Sequence, residues 1–106
     1  MEREALLQLA RALGDETVLV PLGLSRRHLP SSLDEAQRRK LQEVLDGHLP
    51  RLAEALLAEA VASDDVVDRP SALAYLEDRL HFLGQLLSPP QIERLRHQLH
   101  SLAGPW

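Results

Sequence analysis

The chain has no cysteine, one methionine and three aromatic residues, Tyr75, Phe82 and Trp106. Without thiols it can form neither a disulfide nor a thiolate metal site, a composition compatible with reducing and oxidising compartments alike. Scarce aromatics argue against the interior of a sandwich or barrel, which draws on β-branched and aromatic side chains. There is no glycine-rich phosphate loop, no pair of catalytic carboxylates and no stretch of 18 uninterrupted apolar residues. Neither a nucleotide site nor membrane insertion is therefore expected. Basic charge is also short, with 12 Lys and Arg against 16 Asp and Glu for a formal net charge of −4. A nucleic-acid binder usually carries the opposite balance, so no nucleic-acid partner is expected.

What remains is a Leu, Ala and Val economy, 44% apolar over 106 residues. A chain of this length buries roughly two-thirds of its unfolded surface and needs no covalent staple. The expected fold is all-α, with four to five short helices in an antiparallel bundle or helical hairpin array, as one domain. Residues 1–30 read as an N-terminal helix plus an irregular arm, and residues 31–106 as a helical core.

Leu6, Leu9, Ala10 and Leu13 share one helical face, and Gly14 stands where a left-handed helix end belongs. The following Thr17-Val18-Leu19-Val20-Pro21-Leu22 breaks the period, and its β-branched residues predict extended chain crossing the surface, with Pro21 excluding a central strand. A second helix opens at Ser32 or Asp34, since Ser32 with Glu35 and Asp34 with Gln37 both make capping boxes. Gly47 and Pro50 predict a break or kink there. Residues 50–62, nearly all Leu, Ala and Val, predict the most enclosed helix. Asp68 or Ser71 caps the next, where Leu73, Leu76, Leu80, Leu83 and Leu87 repeat at three and four as a seam. The last helix starts at Ser88 with Pro89 and Gln91, places Ile92, Leu95, Leu99 and Leu102 on the core, and ends at Gly104 and Pro105.

One pattern occurs twice. Leu33-Asp34-Glu35-Ala36-Gln37 and Leu87-Ser88-Pro89-Pro90-Gln91 each present a staple leucine, a capping side chain and a Gln three positions on. This pairing resembles the LTxxQ motifs of the Spy/CpxP family of small helical stress chaperones and sensors. Asp34 and Ser88 stand where the family carries threonine. The likeness extends over about 75 residues, 29–103, with the Ala62-Ser63-Asp64-Asp65 turn similar to the family's mid-chain turn. The resemblance implies ATP-independent binding of unfolded protein by a homodimer with an apolar and basic concave face, and no cofactor. Two capping boxes in an unrelated helical protein would give the same pattern, so both origins stay open. A native start at Met1 implies a cytoplasmic protein, and removal of a leader a periplasmic one.

Other side chains mark surfaces. Tyr75, Phe82 and Leu86 lie round the helix from the leucine seam, widening its apolar arc beyond what one neighbour covers. This arc predicts a third helix of the bundle or a partner, a second copy included. Val18, Leu19, Val20 and Leu22 on the arm offer a further docking surface. His97 and His100, with Glu93 a turn earlier, have a spacing that could serve a metal-responsive sensor, yet ordinary exposed histidines explain them more simply. Ser25 near His28 lacks a rigid frame, and no catalytic residue is assigned. The expectation is a non-enzymatic protein that binds other polypeptides, as a stress chaperone or as a helical adaptor or subunit of an assembly.

Overall fold

The computed structural model describes residues 2–104, leaving aside the side chains of Glu2 and Asp15. Pro105, expected as a terminator, lies outside the described residues. Among these there are six α-helices and no strand, and 75% of the chain is helical. The expectation of an all-α fold of short helices holds, and the additional helix comes from the segment expected to be extended.

Helix α1 (Glu2–Leu13) buries Ala5, Leu6, Leu9, Ala10 and Leu13, the arc of a helix with one face on the core. It ends where Gly14 takes φ +89°, a conformation that strains any residue with a Cβ. The chain then turns back into helix as α2 (Asp15–Val18) and a 3₁₀ turn at Val20–Leu22. This corrects the extended arm. Val18 and Leu19 are consecutive and both fully buried, at 0% and 1% exposure. An extended chain would point them to opposite sides, whereas a helical turn sets neighbours about 100° apart on one apolar arc. Pro21 falls in the first turn of the 3₁₀ segment, where its missing N–H costs nothing. Gly23, at φ +68°, closes the turn: its N–H donates to the Val20 carbonyl and that of Leu24 to the Leu19 carbonyl, as in a Schellman motif.

Helix α3 (Glu35–Asp46) is capped by Asp34, which resolves the choice left open with Ser32. The Asp34 carboxylate accepts from the Gln37 N–H at 2.7 Å, and the Gln37 side chain accepts from the Asp34 N–H at 3.2 Å. The break expected near Gly47 is present. Helix α4 (Leu49–Ala62) begins two residues later with Pro50 in its first turn, so the proline starts a helix and interrupts none.

Helix α4 is the axle of the fold. It buries Leu49, Leu52, Ala53, Leu56 and Ala60, and packs against α1, α5 (Arg69–Leu83) and α6 (Pro89–Ala103). Asp68 caps α5, accepting from the Ser71 N–H at 2.9 Å, while the Ser71 hydroxyl oxygen accepts from the Asp68 N–H at 3.1 Å. Asp68→Ala is expected to lower unfolding free energy by about 1 kcal/mol in urea melts, the usual value of a lost N-cap. An unchanged midpoint would mean that Arg69 and Pro70 suffice to start the helix.

The buried row of α5 is Ala72, Leu76, Leu80 and Leu83, not the seam read through Leu73 and Leu87. Leu73 is half-buried, and Leu87 lies beyond the helix end at Gly84, where Leu86 and Leu87 turn inward together. On α6 the row Gln91, Leu95, Leu99, Ala103 faces the core at strict i+4 spacing, and this rotation leaves Leu102 on the flank at 41% exposure.

Candidate docking groove and polar clasp

Three helices leave a groove between them. The outer side of α1 contributes Glu4, Leu7, Gln8 and Arg11, the end of α4 contributes Glu59, Ala62 and Ser63, and α5 contributes Tyr75, Arg79 and Phe82. Its volume is about 680 Å³. The helical period creates it: α1 spends one stripe on the core and turns a second, shifted round the helix, toward α5. Tyr75 and Phe82 pack their inner edges on the core, and both are half-buried. The Arg79 guanidinium lies over the Tyr75 ring, 5.0 Å from its centroid, one turn further along α5.

Two polar atoms on this groove are buried without a hydrogen-bond partner, Gln8 Oε1 and Arg79 Nε. Groups of this kind are rare in finished interiors, because an unmade buried hydrogen bond costs about 1–3 kcal/mol. Among the expected surface residues, Tyr75 and Phe82 therefore meet in one place. Leu86 does not join them: it is fully buried, its carbonyl accepting from Gln42 Nε2 at 3.0 Å. The arm surface dissolves as well, since Val18 and Leu19 are core, Leu22 is half-buried, and Val20, 63% exposed, is the one of the four that faces outward.

The paired motifs occupy different environments. At α3 the box is exposed, with Leu33 tucked into the core beside it. At α6 Gln91 is 5% exposed and its carboxamide makes four hydrogen bonds. Its oxygen accepts from the Ser88 N–H and hydroxyl, both at 3.1 Å, and its Nε2 donates to the Gln42 carbonyl of α3 at 2.7 Å and to Asp46 Oδ1 at 3.4 Å. With Gln42 reaching back to the Leu86 carbonyl, and Arg94 paired with Asp46, a polar clasp ties α3 to the start of α6. Leu87 is buried beneath it.

The histidines expected on the last helix part company. His97 lines a shallow groove with Pro50, Ala53 and Glu54 of α4, while His100 Nε2 lies 3.7 Å from Glu77 on α5. Glu93 pairs with Arg96, which also bonds Glu77 at 2.8 Å. Among the described residues no group of three His, Cys, Asp or Glu side chains is placed to hold a metal ion. Ser25 Oγ and His28 Nδ1 are 2.7 Å apart on an exposed 3₁₀ turn, Arg26–His28. No helix of the described residues is long and apolar enough to cross a membrane.

Neither a family model, nor a curated protein, nor a solved structure matches this chain. The α1 side of the groove went unread in the sequence, although its signal is there: Glu4, Leu7, Gln8 and Arg11 recur at the i, i+3, i+4, i+7 spacing of a helix face.

The carboxylates respond to their partners in one direction. Arg94, through its hydrogen bond, holds Asp46 below the usual carboxylate range. The Ser71 backbone amide does so for Asp68, and the Arg96 hydrogen bond for Glu77. A folded pKa below the unfolded one adds stability that is complete above the unfolded value and is lost as pH falls through the folded one. Stability is therefore expected to stay level near neutrality and to fall below about pH 5. Urea midpoints across a pH series check this, and a rise in stability toward acid would contradict it.

Proposed function

We propose that this chain is a non-catalytic helical protein that binds another polypeptide along the groove formed by α1, the end of α4 and α5. The observation that carries the reading is the meeting of Tyr75 and Phe82, two of the chain's three aromatic residues, on that groove. Half-buried aromatics give large, rigid contact area at low entropic cost and dominate many interfaces. Support comes from Gln8 Oε1 and Arg79 Nε, an acceptor and a donor that an entering chain can satisfy after a small side-chain shift.

The Spy/CpxP resemblance leads to a different kind of binding, transient capture of many unfolded clients. The paired boxes do not favour it over docking, because they cap α3 and α6 in either case. A photo-crosslinker placed at Ala62 on the groove rim, in native extract, tests the reading. One stoichiometric polypeptide adduct, lost in a Tyr75→Ala, Phe82→Ala variant, is the expected result. No polypeptide adduct at the groove would overturn it. Suppression of aggregation of several unrelated denatured enzymes without ATP would favour the chaperone reading instead.

A further inference from the structure

We infer that the polypeptide seated in this groove is a second copy of the same chain, bound across a two-fold axis that passes between Leu7 and Gln8 of α1. The inference rests on the docking reading and names its partner.

The stripe that α1 turns to the groove runs Glu4, Leu7, Gln8, Arg11. It carries an acid at one end, a base at the other, and its midpoint falls between the two central residues. A stripe of this kind is antisymmetric in charge about its centre. A two-fold axis perpendicular to α1 there reverses the second helix, so Glu4 of each copy faces Arg11 of the other. One surface then supplies both partners of two identical ion pairs, as an isologous contact requires. Seven residues of helix separate Glu4 and Arg11 by about 10.5 Å along the axis, and interhelical distances of about 8–10 Å keep the facing side chains within reach. Parallel alignment would instead set Glu4 on Glu4 and Arg11 on Arg11.

Three further observations fit the same operation. Gln8 lies beside the axis, and a carboxamide is its own complement: once the side chain turns outward, its Oε1, buried and unpartnered in the single chain, can accept from Nε2 of the second copy's Gln8. Both Glu4 and Arg11 are exposed, and neither has an ion pair among the described residues, so neither must leave an existing partner. Glu59 and Arg79 bring the formal charge of the lining to zero, which suits a copy of itself better than a strongly acidic or basic partner. Phe82 and Tyr75 flank the stripe on each copy as apolar anchors. The stripe also lies outside residues 29–103, which carry the paired motifs.

Sedimentation equilibrium of the full chain, with circular dichroism as the check on folding, tests the inference. The wild type is expected to dimerise. Glu4→Arg and Arg11→Glu each replace two attractive pairs by two repulsive ones, and each is expected to raise the dimer Kd on the order of tenfold or more. Mixing those two variants, or combining both changes in one chain, restores opposite charges at every contact and is expected to restore the dimer. A monomeric wild type at millimolar concentration, a dimer indifferent to the single reversals, or failure of the mixture to re-associate would each overturn the two-fold register. If the wild type is monomeric but a different polypeptide still crosslinks at the groove in a Phe82-dependent way, the docking reading stands and the second copy is excluded. If neither is seen, both fall.

Discussion

Leu56→Ala is expected to remove about 2–5 kcal/mol of stability, the largest loss from any single change considered for this chain. Leu56 is fully buried on α4, the helix that α1, α5 and α6 all touch. Truncation takes four heavy-atom positions' worth of packing down to one methyl, and the three neighbouring helices cannot all close on the gap. The loss combines the transfer term of the missing atoms with that of the cavity left behind. Set against a total of about 5–15 kcal/mol for an ordinary domain, it would unfold a substantial fraction of the molecules at raised temperature. Thermal and urea melts measure it. Val61→Ala is the control on the same helix, because Val61 is 60% exposed and surface changes stay within about 0.5 kcal/mol. Similar losses at both positions would show that α4 is not the central element of the core.

The second large effect separates two residues that look alike on paper. Gln91→Met keeps the side chain's length and removes all its hydrogen bonds, and is expected to cost about 1–3 kcal/mol. It deprives the Ser88 N–H of its acceptor and the Gln42 carbonyl of a donor at a side chain that is itself buried. Gln37→Met at the first motif removes only the acceptor of the exposed Asp34 N–H, which water replaces, so a loss within about 0.5 kcal/mol is expected. A double-mutant cycle between Gln91 and Asp46 should show coupling of about 0.5–3 kcal/mol, since the Gln91 carboxamide donates to the Asp46 carboxylate. Equal effects at Gln37 and Gln91 would refute the clasp.

The contrast between the two glutamines shows how far sequence carries. A capping box is local: residues three apart satisfy each other's backbone, so both boxes and the proline starts of α4, α5 and α6 are legible from spacing alone. Whether a box is exposed or buried under another helix depends on residues 49 positions away, as with Gln91 and Gln42, and no local pattern encodes that distance. Leu86 and Leu102 exchanged their expected environments for a related reason. Periodicity gives relative angles along one helix, but where α5 stops and how α6 rotates are set by the packing of neighbours.

The arm gives the same lesson from the other side. Thr17, Val18 and Val20 carry β propensity, a weak preference of well under 1 kcal/mol per residue, and burial of Val18 and Leu19 on one arc outweighs it. By itself, then, the sequence determined the helical class, the candidate caps, the break at Gly47 and the central place of α4, all of which follow from neighbours within a turn or from composition, while the structure chose Asp34 and Asp68 among those caps. The tertiary structure alone decided which apolar stripes were consumed and which were left facing outward. It buried Leu86, Val18 and Leu19, kept Tyr75 and Phe82 at a surface, and brought the second stripe of α1 beside them, because only assembled helices reveal which faces have found a partner.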